Sequence, residues 1–137
     1  MKELSVILDT SFLIALNNAK DINHKSALSL KFRLKSKELG QVFISDYIFD
    51  EFVTFLRAKS FSENAIKEVG DALLAEEDIE FLKVDTSVFL QSWELFKKSN
   101  NLSFTDCTII TLANEFGIKN VASFDSGFDR IPNIKRV

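Results

Sequence analysis

Four acids in this chain stand where a folded backbone could put them to work. Asp9 closes the apolar run Val6-Ile7-Leu8, and Asp125 closes Val121-Ala122-Ser123-Phe124. Asp106 opens a helical pattern after the loop Asn100-Asn101-Leu102-Ser103-Phe104-Thr105, and Glu51 lies one turn into the pattern that follows Val42-Phe43-Ile44. In open parallel α/β sheets, ligands bind in the crevice outside the carboxyl ends of the strands, so acids at these places can share one rim. A few carboxylates around an open space suit magnesium, which prefers hard oxygen donors and keeps several of its waters. Asp9, Glu51, Asp106 and Asp125 are therefore the candidate ligands. Thr10, Ser11 and Thr105 are candidates to orient them from behind, a role weighed against simple helix capping.

Each acid alone has a plainer reading. Asp9 is a natural helix N-cap, Asp106 a favourable charge in a first helical turn, Glu51 a solvated face residue, and Asp125 a turn former in Ser123-Phe124-Asp125-Ser126-Gly127. The charge balance favours the joint reading. The chain has 20 Asp and Glu against 17 Lys and Arg, a formal charge of −3. Setting the four candidates aside leaves 16 acids, so the remainder is close to neutral and the excess negative charge is concentrated in one place. Neighbouring carboxylates raise one another's pKa and favour a cation between them, so a metal requirement follows from charge alone.

The acids need a scaffold of alternating elements. Ser5-Val6-Ile7-Leu8 reads as a short buried strand, followed by the cap types Asp9-Thr10-Ser11 and a helix through Phe12-Leu13-Ile14-Ala15-Leu16. A Lys- and Arg-rich helix is expected from Asn23 to Leu39, ended by Gly40 with φ above zero. Val42-Phe43-Ile44 is a second strand, and Ser45-Asp46 caps a helix with Ile48, Phe49, Phe52, Phe55 and Leu56 at helical spacing. Ser62 caps a further helix through Leu74, and Ile79 to Val84 is a strand. Helices are expected from Ser87 to Lys98 and from Thr105 to Phe116, the latter stopped by Gly117. Val121 to Phe124 is the last clear strand, with a further one possible in the tail from Asn133 to Val137. Strands separated by helices imply right-handed crossovers and a mostly parallel sheet covered on both faces, a three-layer α/β/α fold.

At 137 residues and 46% hydrophobic content, the chain is expected to form one domain spanning residues 1–137 around one core. Fourteen Phe against one Trp and one Tyr suggest a core dominated by rings without polar handles. Cys107 is the lone cysteine, so no internal disulfide can form, and no Cys/His cluster has zinc spacing. An acid at position 9 interrupts the first apolar run before it could act as a signal segment or membrane span. A cytoplasmic protein is expected. His24 has no Ser or Cys partner motif and reads as a surface helical residue. The four glycines fit no P-loop or dinucleotide fingerprint. Lys31, Arg33, Lys35 and Lys37 alternate at two and so wrap a helix as a solvated face.

The ordered set of motifs resembles the PIN domain, and within it the VapC toxin ribonucleases. Val6-Ile7-Leu8-Asp9-Thr10-Ser11-Phe12-Leu13 looks like the first family motif, and Glu51 in Ile44-Ser45-Asp46-Tyr47-Ile48-Phe49-Asp50-Glu51-Phe52 matches the second acid. Leu102-Ser103-Phe104-Thr105-Asp106-Cys107 resembles the third motif, and Val121-Ala122-Ser123-Phe124-Asp125-Ser126-Gly127-Phe128 the fourth. The resemblance covers nearly the whole chain. It implies a sheet of four or five parallel strands, hydrolysis of RNA phosphodiester bonds with Mg²⁺ or Mn²⁺, 5′-phosphate and 3′-hydroxyl products, a protein antitoxin and a homodimer. The catalytic and metal-holding set would be Asp9, Glu51, Asp106 and Asp125. A cation held by Asp9, Asp106 and Asp125 would polarise a phosphate oxygen and lower the pKa of a water, with Glu51 orienting that water or helping to hold a second ion.

Two alternatives keep the fold and change the use: a housekeeping RNA-processing nuclease, and a PIN-like module that binds RNA or protein without cutting. Two others lack their residues. A haloacid-dehalogenase phosphatase needs a second aspartate where Ser11 stands, and a receiver domain with Asp85 as acceptor lacks the paired acids at its first strand. Asp129 is a competitor for the fourth position. It follows the Gly127 turn, so it is expected to pair with Arg130 or cap a local turn, supporting the site at most, and its loss is expected to matter little.

Overall fold

The computed structural model describes residues 4–137. Strand β1 (Ser5–Leu8) is buried along its whole length, as a continuous apolar run requires. It lies between β2 (Gln41–Ser45) and β4 (Asn120–Ala122), with Val6 opposite Val42 on one side and Ile7 opposite Val121 on the other. Strand β3 (Ile79–Leu82) extends the sheet beyond β2, and β5 (Lys135–Arg136) beyond β4. The order is β3-β2-β1-β4-β5, and every neighbouring pair is parallel. Both the parallel sheet and the tail strand agree with the expectation from sequence.

Among the described residues, six α-helices connect the first four strands: α1 (Thr10–Asn17), α2 (His24–Lys35), α3 (Asp46–Ala58), α4 (Glu63–Ala75), α5 (Thr86–Lys98) and α6 (Phe104–Phe116). The chain steps outward from β1 to β2 to β3 and then returns past β1 to β4. Right-handed crossovers in opposite senses cover opposite faces, which gives the three layers. The same reversal opens a crevice between the carboxyl ends of β1 and β4.

Helix boundaries follow local chemistry. Ser45 caps α3 by accepting from Ile48 N–H at 3.2 Å, and Ser62 caps α4 by accepting from Ala65 N–H at 3.1 Å. Asp85, the competing receiver-type acceptor, instead caps α5 by accepting from Val88 N–H at 2.9 Å. Strand β3 stops two residues before the expected Val84, because Val84 N–H leaves the ladder for Asp46 Oδ1 at 3.0 Å. Helix α2 ends at Lys35, short of Gly40. Ser36 caps it, and Lys37 takes the left-handed turn with φ 62°.

Gly40 has a different task. Its φ is 77°, and a Cβ there would lie 1.9 Å from the Leu4 carbonyl oxygen, which accepts from Gln41 N–H. The glycine lets the start of β2 pass that carbonyl. The aromatic content also distributes differently from expectation. Phe12, Phe52 and Phe128 are fully buried, but the rest of the core is largely aliphatic, with Ile7, Ile44, Ile48, Leu56, Ile109 and Leu112 at its centre. Doubly covered strands take compact branched side chains, and rings such as Phe32, Phe89 and Phe116 remain on helix surfaces. His24 is half-buried and ties α2 to α1 through Nδ1, 2.7 Å from the Ala15 carbonyl. No helix among the described residues is long and apolar enough to cross a membrane.

Gly117 ends α6 with φ 69° and has open space where a Cβ would go. Gly117→Ala should therefore lose only the left-handed backbone preference, about 1 kcal/mol. Gly40→Ala adds a backbone collision and should lose at least about 3 kcal/mol. Urea unfolding of both variants checks the ranking; equal losses would contradict the close approach at Leu4.

Candidate metal centre

Asp9 is the first residue beyond β1, and its N–H continues the ladder by donating to the Ala122 carbonyl of β4 at 3.0 Å. That bond fixes its backbone at the crevice. It occupies the N-cap position of α1, yet its side chain makes no cap hydrogen bond. The carboxylate is instead held from two directions: Ser11 Oγ donates to Oδ2 at 2.8 Å, and Ser123 Oγ donates to the same oxygen at 2.6 Å. Each hydroxyl also accepts an amide, Ser11 from Phe124 N–H at 3.0 Å and Ser123 from Asp125 N–H at 2.9 Å. The expected strand through Phe124 ends at Ala122 because these groups turn to Asp9 and Ser11.

Asp106 reaches the rim from α6. Ser103 caps that helix, accepting from Asp106 N–H at 3.0 Å, while Asp106 Oδ2 accepts from Ser103 N–H at 3.0 Å. This reciprocal capping box turns the carboxylate back over the helix N-terminus. Asp125 is exposed and starts a 3₁₀ turn (Ser126–Arg130), its Oδ1 accepting from Gly127 N–H at 2.8 Å. Glu51 is exposed in the second turn of α3.

Burial dominates the electrostatics. It raises the Asp9 pKa, against the lowering effect of Ser123, Ser11 and the Thr10 amide, and repulsion from Glu51 adds to the rise. Asp106 is pushed up to about 6, chiefly by burial, opposed by the Ser103 amide and reinforced by the charges of Asp9 and Asp125. Charge thus links the four acids in series, from Glu51 to Asp9 to Asp106 to Asp125. None of them forms a salt bridge among the described residues.

The carboxylates do not form a closed cage. Among the described residues, no three His, Cys, Asp or Glu side chains are grouped tightly enough to hold an ion by themselves. The donor set nevertheless fits a hard divalent cation, which binds through one or two carboxylates and completes its shell with water. Asp9 and Asp106 each have one oxygen committed to neighbouring hydroxyl or amide donors, leaving Oδ1 of each without a side-chain partner among the described residues.

The PIN domain family matches residues 6–134. The chain belongs to that family. Over 136 residues it is 24% identical to a VapC ribonuclease of Archaeoglobus fulgidus, covering 97% of this chain and 84% of the relative. It is 27% identical to the 23S rRNA-specific endonuclease VapC20 of Mycobacterium tuberculosis, covering 90% of this chain and 91% of the relative. The crystal structure of VapC20, described as a sarcin-ricin loop cleaving toxin, superposes with a TM-score of 0.78 at 26% identity, covering 90% of this chain and 92% of that one. VapBC2 from Rickettsia felis, bound to a fragment of promoter DNA, shares the fold with a TM-score of 0.70 at 17% identity, covering 98% of each chain.

Within this PIN rim, the supporting residues fare unequally. Ser11 contacts Asp9 directly, whereas Thr10 Oγ1 is buried without a hydrogen-bond partner among the described residues. Thr105 offers its carbonyl to Thr108 Oγ1 at 2.6 Å and makes no side-chain hydrogen bond to the acids among the described residues. Asp129 does not pair with Arg130. Its Oδ1 and Oδ2 accept from Arg136 Nε and Nη2 at 2.8 and 3.0 Å, because the turn brings β5 back beside β4. Sequence reasoning missed Ser103, Ser123 and Arg136 as individuals. Ser103, three residues before Asp106, carried a readable capping-box signal. Cys107 is buried, and burial pushes its thiol up to about 11, so it is a packed residue.

The raised acids fix a pH dependence. Between the ordinary aspartate value and about 6, folded Asp106 holds a proton that the unfolded chain has released, and Asp9 shifts in the same direction. Their contribution to the stability of chelator-treated protein should therefore fall as pH rises through that window and level off above it. Thermal melts of wild type and Asp106→Asn from pH 4.5 to 7.5 check the sign, with the variant losing less stability over the window. A wild type that gains stability relative to the variant would contradict the unpaired, buried state of these carboxylates.

Proposed function

We propose that this PIN domain is a Mg²⁺- or Mn²⁺-dependent endoribonuclease that cuts single-stranded or loop RNA, acting as the toxin of a toxin–antitoxin pair. The observation that carries the reading is the burial of Asp9, just beyond β1, and of Asp106, in the first turn of α6, with repulsion linking them to each other and to Glu51 and Asp125 and none of the four in a salt bridge among the described residues. A buried anion without a counter-charge either takes up a proton or recruits a cation. Asp9, Asp106 and Asp125 would hold the cation, and Glu51 would orient the attacking water or help to hold a second ion. Bound there, a divalent cation supplies Lewis-acid polarisation of the phosphate and lowers the pKa of a water. Ser11 and Ser123 orient Asp9 and favour its charged form against the effect of burial, and Ser103 does the same for Asp106. Hydrolysis leaves a 5′-phosphate and a 3′-hydroxyl.

The kinship with VapC20, a 23S rRNA-specific endonuclease, makes a structured RNA loop the substrate class to try first. An antitoxin protein would bind this chain, in keeping with fold neighbours solved as VapBC and toxin–antitoxin complexes; it would cover the acidic rim, and the active form would be a homodimer. A single domain over residues 1–137 and a reducing cytoplasm suit this use.

A labelled RNA stem-loop incubated with Mn²⁺, with and without EDTA, tests the reading: chain scission should require the metal. Asp106→Asn keeps an oxygen to accept from Ser103 N–H but removes the charge, and should slow cutting at least about a hundredfold, ~2.7 kcal/mol of transition-state stabilisation. Asp125→Ala should slow it about tenfold or more. Asp85→Asn retains a good N-cap for α5 and should stay within about twofold. Release of phosphate without scission, or the opposite ranking of Asp85 and Asp106, would overturn the assignment.

A further inference from the structure

The segment after β4 carries Ser123 and Asp125 to the crevice, and its position depends on more than its own turn. Phe128 is fully buried and pins its middle. Beyond it, Asp129 meets Arg136 through two parallel hydrogen bonds, Nε to Oδ1 at 2.8 Å and Nη2 to Oδ2 at 3.0 Å. Arg136 is itself placed by the sheet: its Cα lies opposite Val121, and Val137 N–H donates to the Val121 carbonyl at 2.9 Å. The remaining amino group, Nη1, donates to the Ser123 carbonyl at 3.4 Å. Ser123 is the residue whose hydroxyl holds Asp9 Oδ2 at 2.6 Å and accepts Asp125 N–H.

We propose that Asp129 and Arg136 form a positioning clasp for the rim: the bidentate pair fixes the guanidinium, the guanidinium holds the Ser123 carbonyl, and Ser123 thereby sets Asp9 and Asp125. The proposal rests on the nuclease reading above and assigns a positioning task to two residues outside the set of proposed metal ligands. It differs from an ordinary surface ion pair, which contributes little. Both edges of the fork are used, one on the carboxylate and one on the backbone of the site, and a planar five-donor group is needed for that geometry. A lysine at 136 could keep the charge but could not make both connections.

The clasp is tested on the full chain with three variants: Arg136→Ala, Arg136→Lys and the near-isosteric Asp129→Asn. Calorimetric titration with Mn²⁺ reads the carboxylates directly, and steady-state cutting of an RNA stem-loop separates kcat from KM. Each variant should weaken Mn²⁺ binding at least about threefold and lower kcat about tenfold, with KM within about twofold of wild type. The double variant Asp129→Asn/Arg136→Ala should be no worse than Arg136→Ala alone, because both changes open the same clasp. Asp129→Asn disturbs packing least and keeps the test decisive if Arg136→Ala folds poorly. A raised KM with unchanged kcat, rescued by Arg136→Lys, would overturn the clasp in favour of direct attraction of RNA. Lower melting temperatures with wild-type Mn²⁺ affinity and kcat would overturn it in favour of a purely structural tie. Wild-type protein that neither binds Mn²⁺ nor cuts would overturn the nuclease reading and this inference together, whereas wild-type activity matched by all variants overturns the clasp alone.

Discussion

The burial of Asp9 at the junction of β1 and β4 is the constraint around which the rest of the crevice is arranged. A carboxylate in that place loses most of its water, and the chain answers with two serine hydroxyls aimed at one oxygen. Those serines come from opposite ends of the sequence, and the contact between Asp9 and Ser123 spans 114 residues. The same two hydroxyls accept the amides of Phe124 and Asp125, so holding the acid and turning the chain out of β4 are one event. Satisfying one oxygen while a second acid approaches from α6 leaves a charge deficit that no protein group among the described residues fills. Polar satisfaction here is full at one oxygen of Asp9 and absent from side chains at the other among the described residues.

Asp106 shows how a single residue can serve both ends. Its capping box stabilises the start of α6, worth about 1 kcal/mol for a cap of this kind. The positive end of the helix dipole also favours its charge. Burial and the neighbouring acids still outweigh these effects and leave its pKa raised. The plainer reading of Asp106 as a helix-terminus residue is therefore correct in its geometry and insufficient as a full description. Asp9 is the reverse: it occupies a cap position and makes no cap bond, its Oδ2 being held by Ser11 and Ser123.

Much of this was legible in the sequence, and what was not has a common cause. The apolar run before Asp9, the spacing in α3, the Ser45 and Ser62 caps and the Gly117 stop are local patterns, and each element appeared where its pattern lay. The strand-terminal acids could be placed at one rim because parallel sheets put their carboxyl ends on one side. What stayed hidden depends on contacts between distant segments. Ser123 is ordinary until β4 is seen beside β1. Arg136 is ordinary until β5 returns beside β4, and without that return the adjacent Arg130 looks like the natural partner of Asp129. The Gly40 assignment failed similarly: its positive φ was readable, but the Leu4 carbonyl that requires it lies far away in sequence, just before β1. Composition misled once, since a count of phenylalanines does not say which face of a helix they occupy.

The central claim is that Asp9 and Asp106 are unpaired acids awaiting a cation. Carbon-detected NMR titration of the aspartate carboxyls, with and without saturating Mg²⁺, tests it most directly. Without metal, Asp106 should titrate at about 6 and Asp9 above the ordinary aspartate range. With Mg²⁺ both should titrate below about 4, because the cation favours the charged form. Two carboxyls that titrate at the same pH in the presence and absence of Mg²⁺ would contradict the claim.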